Sequence, residues 1–94
     1  MAGYVFEWDA AKADVNWRKH GVTFDEATTV FSDPLSMLQN DPDHSLEEER
    51  FIVLGMSSRR RLLVVAFGER PLRTRLISAR MATRKERRQY EEEA

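Results

Sequence analysis

Residues 50–80 read RFIVLGMSSRRRLLVVAFGERPLRTRLISAR, three apolar stretches separated by two polar ones, and this pattern decides the fold. Arg50 to Met56 alternates well enough for a half-buried strand, and Ser57 to Arg60 supplies a turn. Arg61 to Phe67 is apolar on both faces after its first residue, as a central strand requires. Gly68 to Arg73, with Pro71, forms the next turn, and Thr74 to Arg80 reads as a further strand. Short links between successive strands make this a meander with antiparallel neighbours.

Upstream the period changes. Tyr4 to Glu7 is a short strand, Asp9 caps a helix running to about Lys19, and Gly21 is placed to end it. Thr23-Phe24-Asp25-Glu26 has the spacing of a capping box and opens a second helix, whose apolar stripe continues through Ala27, Val30 and Phe31 until Asp33-Pro34 stops it. Leu35 to Leu38 reads as a strand and Gln39 to His44 as a polar loop containing Pro42. Thr83-Arg84-Lys85-Glu86 repeats the capping-box spacing ahead of a polar C-terminal helix, which its acidic tail should fray. The order predicts an α+β domain: an antiparallel sheet with two N-terminal helices on one face and a helix at the C-terminus.

The 94 residues suffice for one domain, residues 1–94, burying a little under about two thirds of its unfolded surface. No repeat or low-complexity linker divides it. There is no cysteine, so a disulfide framework, a zinc ribbon and a thiol nucleophile are excluded. The longest apolar run, Leu62 to Phe67, is far short of a bilayer crossing, and no signal-peptide pattern opens the chain, so a soluble, cytoplasmic protein is expected. A phosphate-cradling glycine loop, a dinucleotide fingerprint, a His-Glu-x-x-His helix and a serine elbow are all missing.

The net charge of −1 conceals a division along the chain. Residues 1–49 hold three bases against eleven acids, whereas residues 50–88 hold twelve bases against two. Twelve of the fifteen bases are Arg, whose planar fork grips phosphate in two places, so the basic half reads either as solvated charge or as a face for a polyanion. Arg59, Arg60 and Arg61 at the hairpin mouth either protect a sheet edge or gather donors for nucleic acid. Strict alternation puts Arg73 and Arg75 on one face and Arg80 on the other, so a bulge must intervene if the three are to share a ligand. Arg80, Arg84 and Arg87 sit where the N-terminus of the last helix would add to a phosphate site. Tyr90 could stack a base or pack.

Among proton carriers, His20 follows Lys19 at the close of the first helix, at the negative end of the helix dipole; the alternative is a purely stabilising helix end. His44 stands near Asp41, Asp43 and Glu47 to Glu49, which suits either a hard cation or a solvated acidic loop.

The ordered set Phe6-Glu7-Trp8-Asp9, Lys12, Asn16, Lys19-His20-Gly21-Val22, Phe24, Glu26-Ala27, Phe31-x-Asp33-Pro34, Asp41, His44-Ser45, Glu48-Glu49-Arg50, Gly55-x-Ser57, Arg61 to Val65, and Arg75-x-Ile77-Ser78-Ala79-Arg80-x-Ala82-Thr83-x-x-Glu86-Arg87-x-x-Tyr90 resembles the BrnT family of bacterial toxins along nearly the whole chain. The resemblance implies a RelE-like ribonuclease that arrests growth by cutting RNA. It also implies a BrnA-type antitoxin with a ribbon-helix-helix region, forming a heterotetramer that binds operator DNA. No cofactor, metal or membrane enters this reading. Lys19, His20, Arg61 and Arg80 become the expected catalytic group, with His44 or Glu48 as alternative base. Arg59, Arg60, Arg73, Arg75, Arg84, Arg87 and Tyr90 become expected RNA contacts. The rival function is a nucleic-acid-binding module without catalysis. Arg60 stands where the family carries Gly.

Overall fold

A computed structural model describes residues 4–41 and 49–93. The elements in chain order are β1 (Phe6–Glu7), α1 (Ala10–His20), α2 (Phe24–Thr29), a single 3-10 turn (Val30–Ser32), β2 (Met37–Asn40), β3 (Arg50–Met56), β4 (Leu62–Arg70), β5 (Arg73–Met81) and α3 (Arg84–Glu93). The sheet order is β1-β5-β4-β3-β2. Strands β2 to β5 are antiparallel neighbours, as the meander requires, but β1 runs parallel to β5, so the sheet is mixed rather than antiparallel throughout. The crossover from β1 to its neighbour carries α1 and α2, which lie on one face.

Local chemistry explains the helix ends. Asp9 accepts from the N–H of Ala11 at 2.7 Å, and Gly21 closes α1 in the left-handed region at φ 67°, its N–H bonded to the Trp17 carbonyl at 2.8 Å. The α-helical part of α2 stops at Thr29, and the 3-10 turn tightens its end before Asp33. Gly55 lets β3 approach this turn: a β-carbon there would come within 2.8 Å of Val30 Cγ1.

One hairpin and one strand differ from the sequence expectation in extent. Residues Gly68 to Arg70 continue β4, leaving a two-residue turn at Pro71-Leu72 with Leu72 at φ 66°. The pull of ladder pairing with β5 outweighs the turn preference of Gly68. The strand expected at Leu35 begins at Met37, because the Asp33 carboxylate takes the N–H of Leu35 at 2.9 Å and holds the preceding residues in a turn.

The sheet has a core on each face. On the helix side Val22, Phe24, Ala27 and Val30 pack on Val53, Leu63, Val65, Phe67, Leu76 and Ala79. On the other, Tyr90 of α3 packs with Leu54, Leu62 and Val64. The register between β4 and β5 slips by one at Ala66/Phe67, so Ile77 is the extra residue of a bulge. The slip inverts the parity of β5. Arg73, Arg75 and Arg80 consequently share the face that carries α3.

In the β3–β4 turn Arg60 adopts φ 63°. A side chain there strains the backbone by about 1 kcal/mol. Arg60→Gly is therefore expected to raise stability by about that amount, measured as an increase in the urea midpoint without a change in slope. An unchanged or lower midpoint would contradict it.

Candidate nucleic-acid interface

The outer edge of β5 is paired with β1 only at Thr74 and Arg75, and beyond that point α1 takes the place of a strand. The device is Asn16, a buried residue on α1 at 5% exposure. Its Nδ2 donates to the carbonyls of Ala79 and Val22, each at 2.9 Å, and its Oδ1 accepts from the Ala79 N–H at 3.0 Å. One side chain thus satisfies both edge groups of Ala79 and pins the α1–α2 loop.

Between α1 and this edge lies an open groove of about 310 Å³, lined by Ala11, Lys12, Val15, Asn16, Lys19, His20, Ile77 and Ser78. Lys12 and Lys19 are exposed and His20 is half-buried. Among the described residues none of the three has a carboxylate partner within salt-bridge distance. Arg80 stands two residues beyond Ser78 on the same strand, about 7 Å along it. Its guanidinium makes two parallel bonds of 2.9 Å to the Glu86 carboxylate and a third, at 3.2 Å, to the Met81 carbonyl. Glu86 also accepts from the Thr83 N–H at 2.8 Å while the Thr83 hydroxyl accepts from the Glu86 N–H at 3.1 Å, so this capping box is complete. Arg80 is still 41% exposed, so part of its fork faces solvent.

The Arg80 guanidinium, followed by the Thr83 bonds and against the effect of burial, holds the Glu86 carboxyl down from 4.5 to about 2. Because the folded value lies below the unfolded one, the stabilisation is fully present above about pH 4.5 and is lost as pH falls through the region of 2. Thermal melts should show stability falling between pH 5 and 2, with a shallower fall in Glu86→Gln. Identical slopes in the two proteins would contradict the assignment.

The other expected residues lie elsewhere. Arg61 does not join Arg80; it turns to the opposite face of the sheet, where Nε bonds Glu26 Oε2 at 2.9 Å and Nη2 bonds both Glu26 Oε1 and the Gly21 carbonyl, the latter at 3.1 Å. The Ser57 hydroxyl donates to the same carboxylate at 2.7 Å. The Thr23 box is accordingly half made: Thr23 Oγ1 accepts from the Glu26 N–H at 3.1 Å, but the Glu26 carboxylate is drawn to Arg61 instead. The expected catalytic group is thus divided, because Arg61 and Arg80 face opposite sides of the sheet.

Arg73 and Arg75 share a face with Arg80 but occupy the far end of β5, bonded to Glu7 at 3.2 and 3.3 Å. Arg59 and Arg60 are exposed at the β3–β4 turn, with Arg59 4.0 Å from Glu26; Arg84 and Arg87 are exposed on α3. Tyr90 cannot offer its ring to a base. It is 7% exposed and donates its hydroxyl to Asp33 at 2.6 Å; burial, reinforced by that carboxylate, pushes the phenol up to about 12. His44 and Glu48, with the remainder of the proposed acidic cation loop from 42 to 48, lie outside the described residues.

Lys12, Asn16 and Ser78 carry no role in the sequence reading. The seven-residue spacing of Lys12 and Lys19 puts them on one side of a helix and could have exposed the first of them. Ser78 depends on the bulge, which no local signal announces.

The family described as "Ribonuclease toxin, BrnT, of type II toxin-antitoxin system" matches residues 8–86. The chain belongs to this family. A BrnT ribonuclease toxin of Brucella abortus, known from its crystal structure, superposes with a TM-score of 0.65 at 21% identity, over 87% of this chain and 100% of that one. At that identity the likeness establishes the α+β fold. No curated protein sequence matches the chain. Membership of the BrnT family brings ribonuclease activity and, since the system is of type II, a protein antitoxin as partner. No helix among the described residues is long and apolar enough to cross a membrane.

Proposed function

We propose that the chain is an endoribonuclease toxin that cuts RNA in the groove between α1 and the open edge of β5, using its own side chains rather than a metal ion. The observation that carries this reading is the groove itself: Lys19 and His20, without acidic partners among the described residues, line it together with Ser78, and Arg80 follows Ser78 by two residues on the same strand. A larger concavity of about 360 Å³, between Tyr4, Phe31, Leu38, Phe51 and Phe67, has Glu69 as its one charged lining residue and suits no phosphate.

In this mechanism His20 takes the proton of a ribose 2′-OH as the oxygen attacks the adjacent phosphorus. Lys19 and Arg80 hold the charge on the non-bridging oxygens. The bond to the 5′-oxygen breaks, that oxygen takes a proton from water at the open groove, and a 2′,3′-cyclic phosphate remains. Arg61 serves the scaffold instead, its pairing with Glu26 bracing the β3–β4 turn against α2. The antitoxin is of BrnA type, with a ribbon-helix-helix region that carries a heterotetramer onto operator DNA, and free toxin inhibits translation in the cytoplasm.

A single-stranded RNA cut by the purified protein, with chelator present, should survive when deoxyribose replaces ribose at the cut site alone. Cleavage of that substrate would mean that water, not the 2′-OH, attacks. Binding without any cleavage would favour the non-catalytic module.

A further inference from the structure

We infer that Lys12 forms a second phosphate subsite, so that the groove takes a stacked single strand of RNA lying along α1, with its cut at the Lys19–His20 end. This rests on the groove being the RNA site. Lys12 and Lys19 are both exposed, line the same groove and are free of acidic partners among the described residues, unlike Arg61, Arg73, Arg75 and Arg80. They are seven residues, two turns, apart on one helix, which places them about 10 Å from each other along its axis. A stacked strand advances about 3.4 Å per nucleotide, so the two ammonium groups match phosphates about three nucleotides apart. Val15 lies between them in the groove lining and is 57% exposed, an apolar surface against which a base or sugar can rest. The opposite wall is a strand edge. Its Ala79 backbone groups are consumed by Asn16 and are therefore not offered to an incoming strand. The groove is open to solvent rather than enclosed, so a chain longer than one nucleotide can enter it.

The test uses the full-length protein and 2′-O-methyl RNA, which lacks the attacking hydroxyl. Affinity is measured by fluorescence anisotropy for a labelled single-stranded heptanucleotide, and by competition for a dinucleotide. Lys12→Ala should weaken heptanucleotide binding 5- to 10-fold, leave dinucleotide binding within 2-fold, and lower the salt slope of log affinity by about 0.7. Lys12→Arg should restore binding to within 2-fold. Lys12 is exposed, so matched melting temperatures should accompany these changes. Unchanged heptanucleotide affinity, or an equal loss on the dinucleotide, would overturn the subsite. Should Lys19→Ala leave both ligands unaffected, the groove is not the RNA site at all, a failure distinct from that of Lys12 alone.

Discussion

Arg80→Ala is expected to lower the rate of RNA cleavage by about 100- to 1000-fold, the usual cost of removing one preorganised donor from a developing oxyanion. The fold should survive. Glu86 would retain its bond to the Thr83 N–H, and the Arg80–Glu86 pair, with Arg80 41% exposed, is of the partly solvated kind that contributes about 0 to 1 kcal/mol. Glu86 plays two parts here. It fixes the guanidinium in place, and it reduces the positive charge that an RNA phosphate would meet. Arg80→Lys should recover little activity, since an ammonium cannot engage Glu86 and a phosphate with one planar fork. Single-turnover cleavage at matched folded fraction is the measurement, and an alanine variant retaining more than a tenth of the rate would remove Arg80 from the mechanism.

Arg61→Ala should act in the opposite way, costing stability and not chemistry. It would leave the Glu26 carboxylate, 5% exposed, with Ser57 as its one remaining side-chain hydrogen-bond donor among the described residues. Removing the main ion partner of a buried charge costs about 3 to 5 kcal/mol, and the partial exposure of Arg61 together with the remaining Arg59, 4.0 Å from the carboxylate, brings the expectation to about 3 kcal/mol. For a chain of this size that corresponds to a fall in melting temperature of roughly 12–24 °C. The double variant Glu26→Met with Arg61→Met should regain much of the loss, because apolar replacements fill the site without a charge to desolvate. Below its transition, the single variant should cut RNA at close to the parent rate. A stable but inactive Arg61→Ala protein would return Arg61 to the chemistry.

Much of the scaffold is written in local signals. Asp9, Gly21 and Thr83 act at helix ends as their residue types dictate, and β3 runs from Arg50 to Met56 as the alternation implies. What local reading loses is set by partners distant in sequence. The Glu26 carboxylate has the spacing for a capping box, yet Arg61, 35 residues away, draws it into a charge-assisted bidentate bond instead. Tyr90 looks like a free aromatic on a polar helix until α3 is laid across β3 and β4, where Asp33 receives its hydroxyl. The parity of β5 depends on one unopposed residue, Ile77, and strict counting therefore separates Arg80 from Arg73 and Arg75 when the sheet does not. In the candidate site, Lys19 and His20 were accessible from their place at a helix end. Their neighbour Ser78 was not, since only the packing of α1 against a strand edge through Asn16 brings it across.

The location of the RNA is tested most directly by titrating isotope-labelled protein with 2′-O-methyl heptanucleotide and following backbone amide shifts. The largest changes should fall on residues 12–20 of α1 and 77–80 of β5. Changes confined to the β3–β4 turn, to the Arg73–Arg75 end of the sheet, or to the concavity around Phe31 and Leu38 would contradict the assignment of the groove.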